Sequence, residues 1–242
     1  EWGWSNTRNE PVMDALLTAL YYTVQYSVPW TVLTVLIGPI IGVYSAANQY
    51  SWKDHAATGF AFFGFAIPNF FFGIILLLIF GVQLQWIPIV YQTDVPVFSI
   101  ENAIQLTMPI IVLVTGSIGA IMRVSRNESA EYANADFVKT AKAKGVSTYR
   151  IYARHVIRPT MVPLSTTMVW YLLALFTGSS LLVEVVFGIP GLGRTLYDAV
   201  IAQDTSLVLG STLLFTFIAT IGNLIQDVVY TVLDPRISFD DR

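Results

Sequence analysis

The chain has no cysteine and only two histidines in 242 residues. The first absence excludes disulfides, thiolate metal sites and cysteine catalysis. His55 and His155 fall on separate predicted loops and no H-E-x-x-H pair occurs, so the convergent groups that a membrane-embedded enzyme needs are missing. The phosphate-cradling pattern G-x-x-x-x-G-K-[ST] is also absent, so the chain does not hold ATP by that loop. Charge is scarce: Asp, Glu, Lys and Arg make up 12% of the residues, against about a quarter in soluble domains.

What fills the sequence instead is apolar. Hydrophobic residues make up 55% and the mean hydropathy is +0.62, which marks an integral membrane protein. A hydrocarbon core of about 30 Å takes roughly 20 apolar helical residues. Five uncharged runs are long enough: Ala15–Trp52, Ala56–Gly81, Asn102–Met122, Pro159–Val183 and Thr205–Gln226. Strand alternation is missing, since Gly73–Phe80 is apolar on all sides, so the expected fold is an all-α bundle with five transmembrane helices. The first run exceeds one span; its membrane part is expected near Val28–Ala47, with 1–27 an exterior and interfacial lead-in carrying Tyr21, Tyr22 and Tyr26. The deep parts of the runs contain no ionisable residue, which argues against an ion-driven carrier or channel.

Eight of the 13 Lys and Arg residues lie between Arg123 and Arg158, whereas the loop Val82–Glu101 has none. Because basic loops stay on the cytoplasmic side, 48–55, 123–158 and the tail 236–242 are expected inside. The N-terminus, 82–101 and 184–204 are expected outside, with the permeating domain over 28–235. The net charge of −3 says little about partners, because the basic residues are concentrated on one face.

The basic loop has a pattern of its own. Asp136 is placed to cap a helix with the body Phe137–Lys144, in which Phe137 and Ala141 share a face and Lys142 and Lys144 sit near the negative end. Gly145 stops that helix in the left-handed conformation. Ser147 is placed to cap a second helix through Tyr149, Tyr152, His155 and Val156 up to Pro159. Periodicity leaves two readings open: a helix that seats in a groove of a cytosolic partner, or one that lies on anionic lipid.

The run Asp136–Arg158, DFVKTAKAKGVSTYRIYARHVIR, resembles the cytoplasmic EAA loop of permease subunits from binding-protein-dependent ABC importers. More narrowly it resembles the first-permease type of the dipeptide/oligopeptide/nickel branch, which reads close to D-[FY]-V-[KR]-T-A-[KR]-A-K-G followed by an R-H stretch. The general family pattern is kept only at Ala141, Gly145 and Ile157; its acidic-Ala-Ala triplet is Lys139-Thr140-Ala141 here. Ser51–Asp54, Ile67–Phe70, Glu184–Phe187, Pro190–Arg194 and Leu233–Ile237 are similar to the same branch.

The resemblance implies six spans, the first preceding Glu1, and a pathway subunit that imports peptides or related small solutes by alternating access across a prokaryotic cytoplasmic membrane. It implies partners: two cytoplasmic ATPase subunits that bind ATP and Mg, a second homologous permease and an exterior substrate-binding protein. It implies no cofactor on this chain, no catalysis by it and no nucleic acid. Coupling to the ATPases would fall to Asp136, Phe137, Lys139, Ala141, Lys142, Lys144, Gly145 and Arg150. Gly145 would set the bend, Phe137 and Ala141 would fill the groove, and the lysines would form its charged rim.

Two smaller sets stay open in role. Gln25, Asn69 and Asn223, with Gln226, either face a polar route or tie helices together. The turn-rich Gly188–Arg194 opens into a short helix over Thr195–Gln203, and Glu184, Pro190, Gly191, Gly193 and Arg194 are either a binding-protein contact or gate, or a plain connector. Pro29, Pro39, Pro68 and Pro109 are candidate kinks, and Gly38 and Gly42 have the spacing for close helix approach.

Overall fold

A computed structural model describes residues 2–177 and 181–233. Helices dominate, as the all-α expectation required. A two-residue β pair, β1 (Trp4–Ser5) with β2 (Glu10–Pro11), leads into α1 (Val12–Ala47). There follow α2 (Trp52–Ala66), α3 (Asn69–Leu76) continued by a π segment over Leu77–Gln83, and α4 (Ile100–Ala133). Then come α5 (Asp136–Ala143), α6 (Thr148–Ile151), a π turn over Tyr152–Val156, α7 (Ile157–Thr177), α8 (Leu181–Phe187), α9 (Leu192–Ile201) and α10 (Thr205–Leu233).

The expected runs become helices, with shifted ends. Residues expected as an interfacial lead-in are helical from Val12, and α1 runs unbroken to Ala47. Pro29 and Pro39 do not interrupt it, and Pro109 sits inside α4. Of these four prolines, Pro68 alone marks a break: the run Ala56–Gly81 is two helices, because Pro68 takes an extended ψ of 129°. Among the described residues, α1, α4 and Thr205–Gln226 are each long and apolar enough to cross a membrane, and the α2–α3 pair adds a fourth if it is counted as one span. The fourth expected run is occupied by α7 and the start of α8. The tail 236–242 and Asp234–Ile237 lie outside the described residues.

The chain divides into two units, and α1, α4, α7 and α10 contribute to both. The first unit has a core of Val12, Leu16, Ala19, Leu192, Ala199 and Leu207. Its entry segment is fastened by Asp204, which caps α10 through the Leu207 N–H (3.2 Å). The other oxygen of Asp204 accepts the Ser5 and Thr7 hydroxyls, each at 2.7 Å, and the Thr7 N–H at 3.1 Å. Burial alone would raise the Asp204 carboxyl, but these donors more than offset it and hold it at about 2.

In the second unit, Gly42 lets α1 approach α4 closely: a Cβ there would sit 2.5 Å from the Met122 carbonyl oxygen. The Ser125 hydroxyl donates to the Pro39 carbonyl across the same contact (3.0 Å). The small-residue spacing therefore does what it predicts, and Pro39 does not spoil it.

Candidate functional site

The basic segment does not begin as a loop. Helix α4 carries on through Arg123 and Arg126 to Ala133, so the loop expected from residue 123 is helical for its first eleven residues. Only then does the chain turn into the hairpin. Asp136 does not cap α5; Ala135 holds the extended cap position and Asp136 is the first helical residue. Its carboxylate instead pairs with Lys139 Nζ at 2.8 Å, one turn on.

Gly145 adopts φ +75°. The turn it closes has two backbone bonds, Gly145 N–H to Lys142 O (2.9 Å) and Val146 N–H to Ala141 O (3.2 Å). That pair satisfies carbonyls left open at a helix end, and it needs a left-handed residue after the cap. No neighbour lies within 4 Å of where a Cβ would stand at Gly145, so the requirement is conformational and not steric.

The second arm differs from expectation. It starts after Ser147 and does not end at Pro159: α6, the π turn and α7 form one continuous helical stretch. The Ile157 N–H bonds to Tyr152 O in the wider π pattern, and Pro159, which has no N–H to place, follows in the first turn of α7.

Between the arms lies a small core of Val138, Ala141, Ile151 and Val156, with Tyr132, Val146 and Tyr152 packed against it. Ala141 is thus inside the hairpin, corrected from the groove-filling role expected of it. Phe137 is 46% exposed and Tyr149 85% exposed. Lys139, Lys142, Lys144 and Arg150 are exposed as well, which gives an aromatic and basic outer surface.

Side-chain contacts absent from the sequence reading tie the hairpin to α1 and hold the helices beside it. The Tyr152 hydroxyl donates to Ala46 O at the end of α1 (3.2 Å), one of the carbonyls a helix terminus leaves open. Ser129 and Thr160 share a hydroxyl bond of 3.3 Å. Asp54, 2% exposed, is gripped by Arg126 through Nε and Nη2, both at 2.7 Å. It also accepts the Tyr50 N–H (2.9 Å) and the Ser45 hydroxyl. An acid bordering an uncharged run was the available signal for Asp54; nothing local pointed to Arg126 as its partner.

In the first unit Glu184 is fully buried. This corrects its placement on a surface that an external protein could touch. One oxygen accepts Tyr26 Oη (2.6 Å) and Thr23 Oγ1 (2.9 Å), and the other accepts the Arg194 N–H (2.8 Å). A Cβ on Gly191 would stand 2.1 Å from Oε1 of this carboxylate, and one on Gly193 would stand 2.8 Å from Leu181 Cα. The glycines therefore make room for the knot around Glu184. Pro190 is half-buried, and Arg194, whose Nε lies 3.8 Å from Asp198, remains partly exposed.

Gln25 belongs to an amide network. Its Oε1 accepts Tyr91 Oη and Asn102 Nδ2, both at 3.0 Å, and Gln105 joins through Asn102 Oδ1 (2.9 Å). Burial, with Tyr22 and Tyr21 nearby, pushes the Tyr91 phenol up to about 12, so it stays a donor. Asn69 opens α3 and Asn223 is exposed on α10; neither is joined to this network by a hydrogen bond among the described residues.

Long apolar helices and a hairpin with a small core of its own define a polytopic helical membrane protein. Its sequence profile is that of the binding-protein-dependent transport system inner membrane components, matched over residues 38–239, and the chain belongs to that family. It is 31% identical over 236 residues to the oligopeptide transport system permease protein AppB of Bacillus subtilis, covering 96% of this chain and 74% of the relative. To the oligopeptide transport system permease protein OppB of Haemophilus influenzae it is 30% identical over 232 residues, with the same coverage of 96% and 74%. Among solved structures, an inward-facing MetNI methionine ABC transporter superposes with a TM-score of 0.71 at 16% identity, covering 93% of this chain and 99% of that one. That likeness concerns the fold.

Proposed function

We propose that this chain is the pathway subunit of an ATP-driven importer of peptides, and that the 136–158 hairpin couples it to separate ATPase subunits. The observation that carries the reading is the hairpin itself: its apolar residues are spent on an internal core, while Phe137, Tyr149 and four basic side chains are left outside. A loop that served only to fix topology needs charge but no such core. Asp136, Lys139, Lys142, Lys144 and Arg150 form the rim of the docking surface, Phe137 its apolar centre, and Gly145 the bend; Ala141 acts from within.

The same reading assigns two ATPase subunits that hold ATP and Mg, a second homologous permease and an exterior binding protein that brings the cargo past Pro190 and Arg194. The spans alternate access across the cytoplasmic membrane, with the C-terminus inside. Peptide cargo is supported by the two oligopeptide permeases to which the chain is similar.

Gly145→Val tests the coupling. The substitution places a β-branched residue at φ +75°, at a cost of about 1–2 kcal/mol, and re-aims both arms. The expected result is a permease that still reaches the membrane but whose complex has lost substrate-stimulated ATP hydrolysis. Full stimulation in that variant would remove the hairpin from the mechanism.

A further inference from the structure

The transport reading gives no role to Arg123 or to the residues following Ser51, yet they share one pocket in the second unit. It has a volume of about 240 Å³, and its lining includes His55, Phe62, Arg123, Arg126 and Asn127. Asp54, the acid in this lining, is already committed to Arg126, Ser45 and the Tyr50 N–H. It has little left with which to neutralise Arg123. The Arg123 guanidinium is held over the rings of Phe62 and Phe65, at 5.4 and 5.9 Å from their centroids. Those rings fix the cation's position, while its N–H fork meets no acceptor among the described residues. A positioned guanidinium with an open fork is built for an oxyanion, and phosphate matches its geometry best.

The surroundings select the source of that phosphate. Phe62 is 56% exposed, Phe65 72%, Trp52 75% and Tyr50 80%. Free phosphate would leave these rings uncovered, whereas a lipid brings the anion and the apolar chains together. Cations beside aromatic rings are the pattern of a membrane interface. We infer that this pocket binds the phosphate of an anionic phospholipid, with Arg123 and His55 as donors and the acyl chains against Phe62 and Phe65. The inference rests on the proposed topology, which places 48–55 and the end of α4 at the cytoplasmic leaflet.

The test is native mass spectrometry of the full-length permease in its complex, equilibrated with phosphatidylglycerol or phosphatidylcholine. Wild type is expected to retain the anionic lipid preferentially, and Arg123→Gln to retain about tenfold less, as expected for one charge-assisted contact. Arg123→Lys should fall between them, and unchanged gel-filtration profiles separate lost binding from lost folding. Equal retention of the two lipids, or retention unaffected by Arg123→Gln, overturns the inference. So does protection of the site by inorganic phosphate with no preference for lipid. A Lys53→Cys variant, in a chain with no other cysteine, reports the side of the membrane independently. Labelling from outside overturns the topology beneath both readings, whereas labelling from inside without a lipid preference overturns the pocket alone.

Discussion

Replacing Gly191 by alanine inserts one methyl group into the knot around Glu184. Its carbon would lie 2.1 Å from Oε1 and 2.6 Å from Thr23 Oγ1, so the carboxylate must retreat by about 1 Å to reach ordinary contact. Such a retreat stretches the bonds from Tyr26 (2.6 Å) and Thr23 (2.9 Å) beyond useful length. Hydrogen bonds to a charged group contribute about 1.5–3 kcal/mol each, so losing both costs about 3–6 kcal/mol. For a chain of this size that lowers the thermal midpoint by on the order of 10 °C. The assay is thermal unfolding of the purified protein followed by tryptophan fluorescence, run as a double-mutant cycle with Glu184→Ala. If the clash is with the carboxylate, Gly191→Ala should cost far less once the carboxylate is gone. An equal loss in both backgrounds, or a Gly191→Ala midpoint within about 2 °C of the parent, would refute the account.

Arg126→Ala leaves Asp54 buried without its cation and should destabilise the protein by about 3–5 kcal/mol, seen in the same unfolding assay. Arg126→Lys should recover only part of this, because an ammonium cannot reproduce the two-pronged grip. Asp204 titrates at about 2 when folded, below its ordinary value of 3.8. Its contribution of about 2 kcal/mol is therefore present above pH 4 and lost as pH falls from about 4 to about 2. In Asp204→Asn that portion of the stability–pH curve should be flat. Phe137→Ala removes an exposed ring, so unfolding should be unchanged while the ATPase subunits dissociate more easily in pull-down. A weakened fold with intact assembly would place Phe137 in the core instead.

The helical class was legible because apolar runs bounded by charge have few alternatives in lipid, and Gly145 was legible because a glycine after a helix at that spacing has a local cause. Asp136 was misjudged for a related reason. A cap and a first-turn carboxylate look alike in sequence, and here Lys139, three residues on, draws the side chain away from the helix end. Glu184 is the opposite case. Its neighbours Gly188–Arg194 suggested a surface turn, but the partners that bury it, Thr23 and Tyr26, lie about 160 residues away. Long-range pairings such as Asp54 with Arg126 leave no periodic trace. The break at Pro68 and the continuity through Pro159 were equally hard to tell apart, since a proline divides a helix in one place and is absorbed by a π turn in another.

Within the second unit, from Thr148 to Tyr171, the backbone is helical without a gap, a stretch about 36 Å long at the usual rise per residue. The other arm joins α4 across only two residues, Asn134 and Ala135. A force applied to the outer face of the hairpin therefore meets no slack linker in which it could dissipate. It enters two stiff shafts, and the longer one carries at Tyr152–Val156 a wider turn, whose hydrogen bonds reach one residue further than in the rest of the helix.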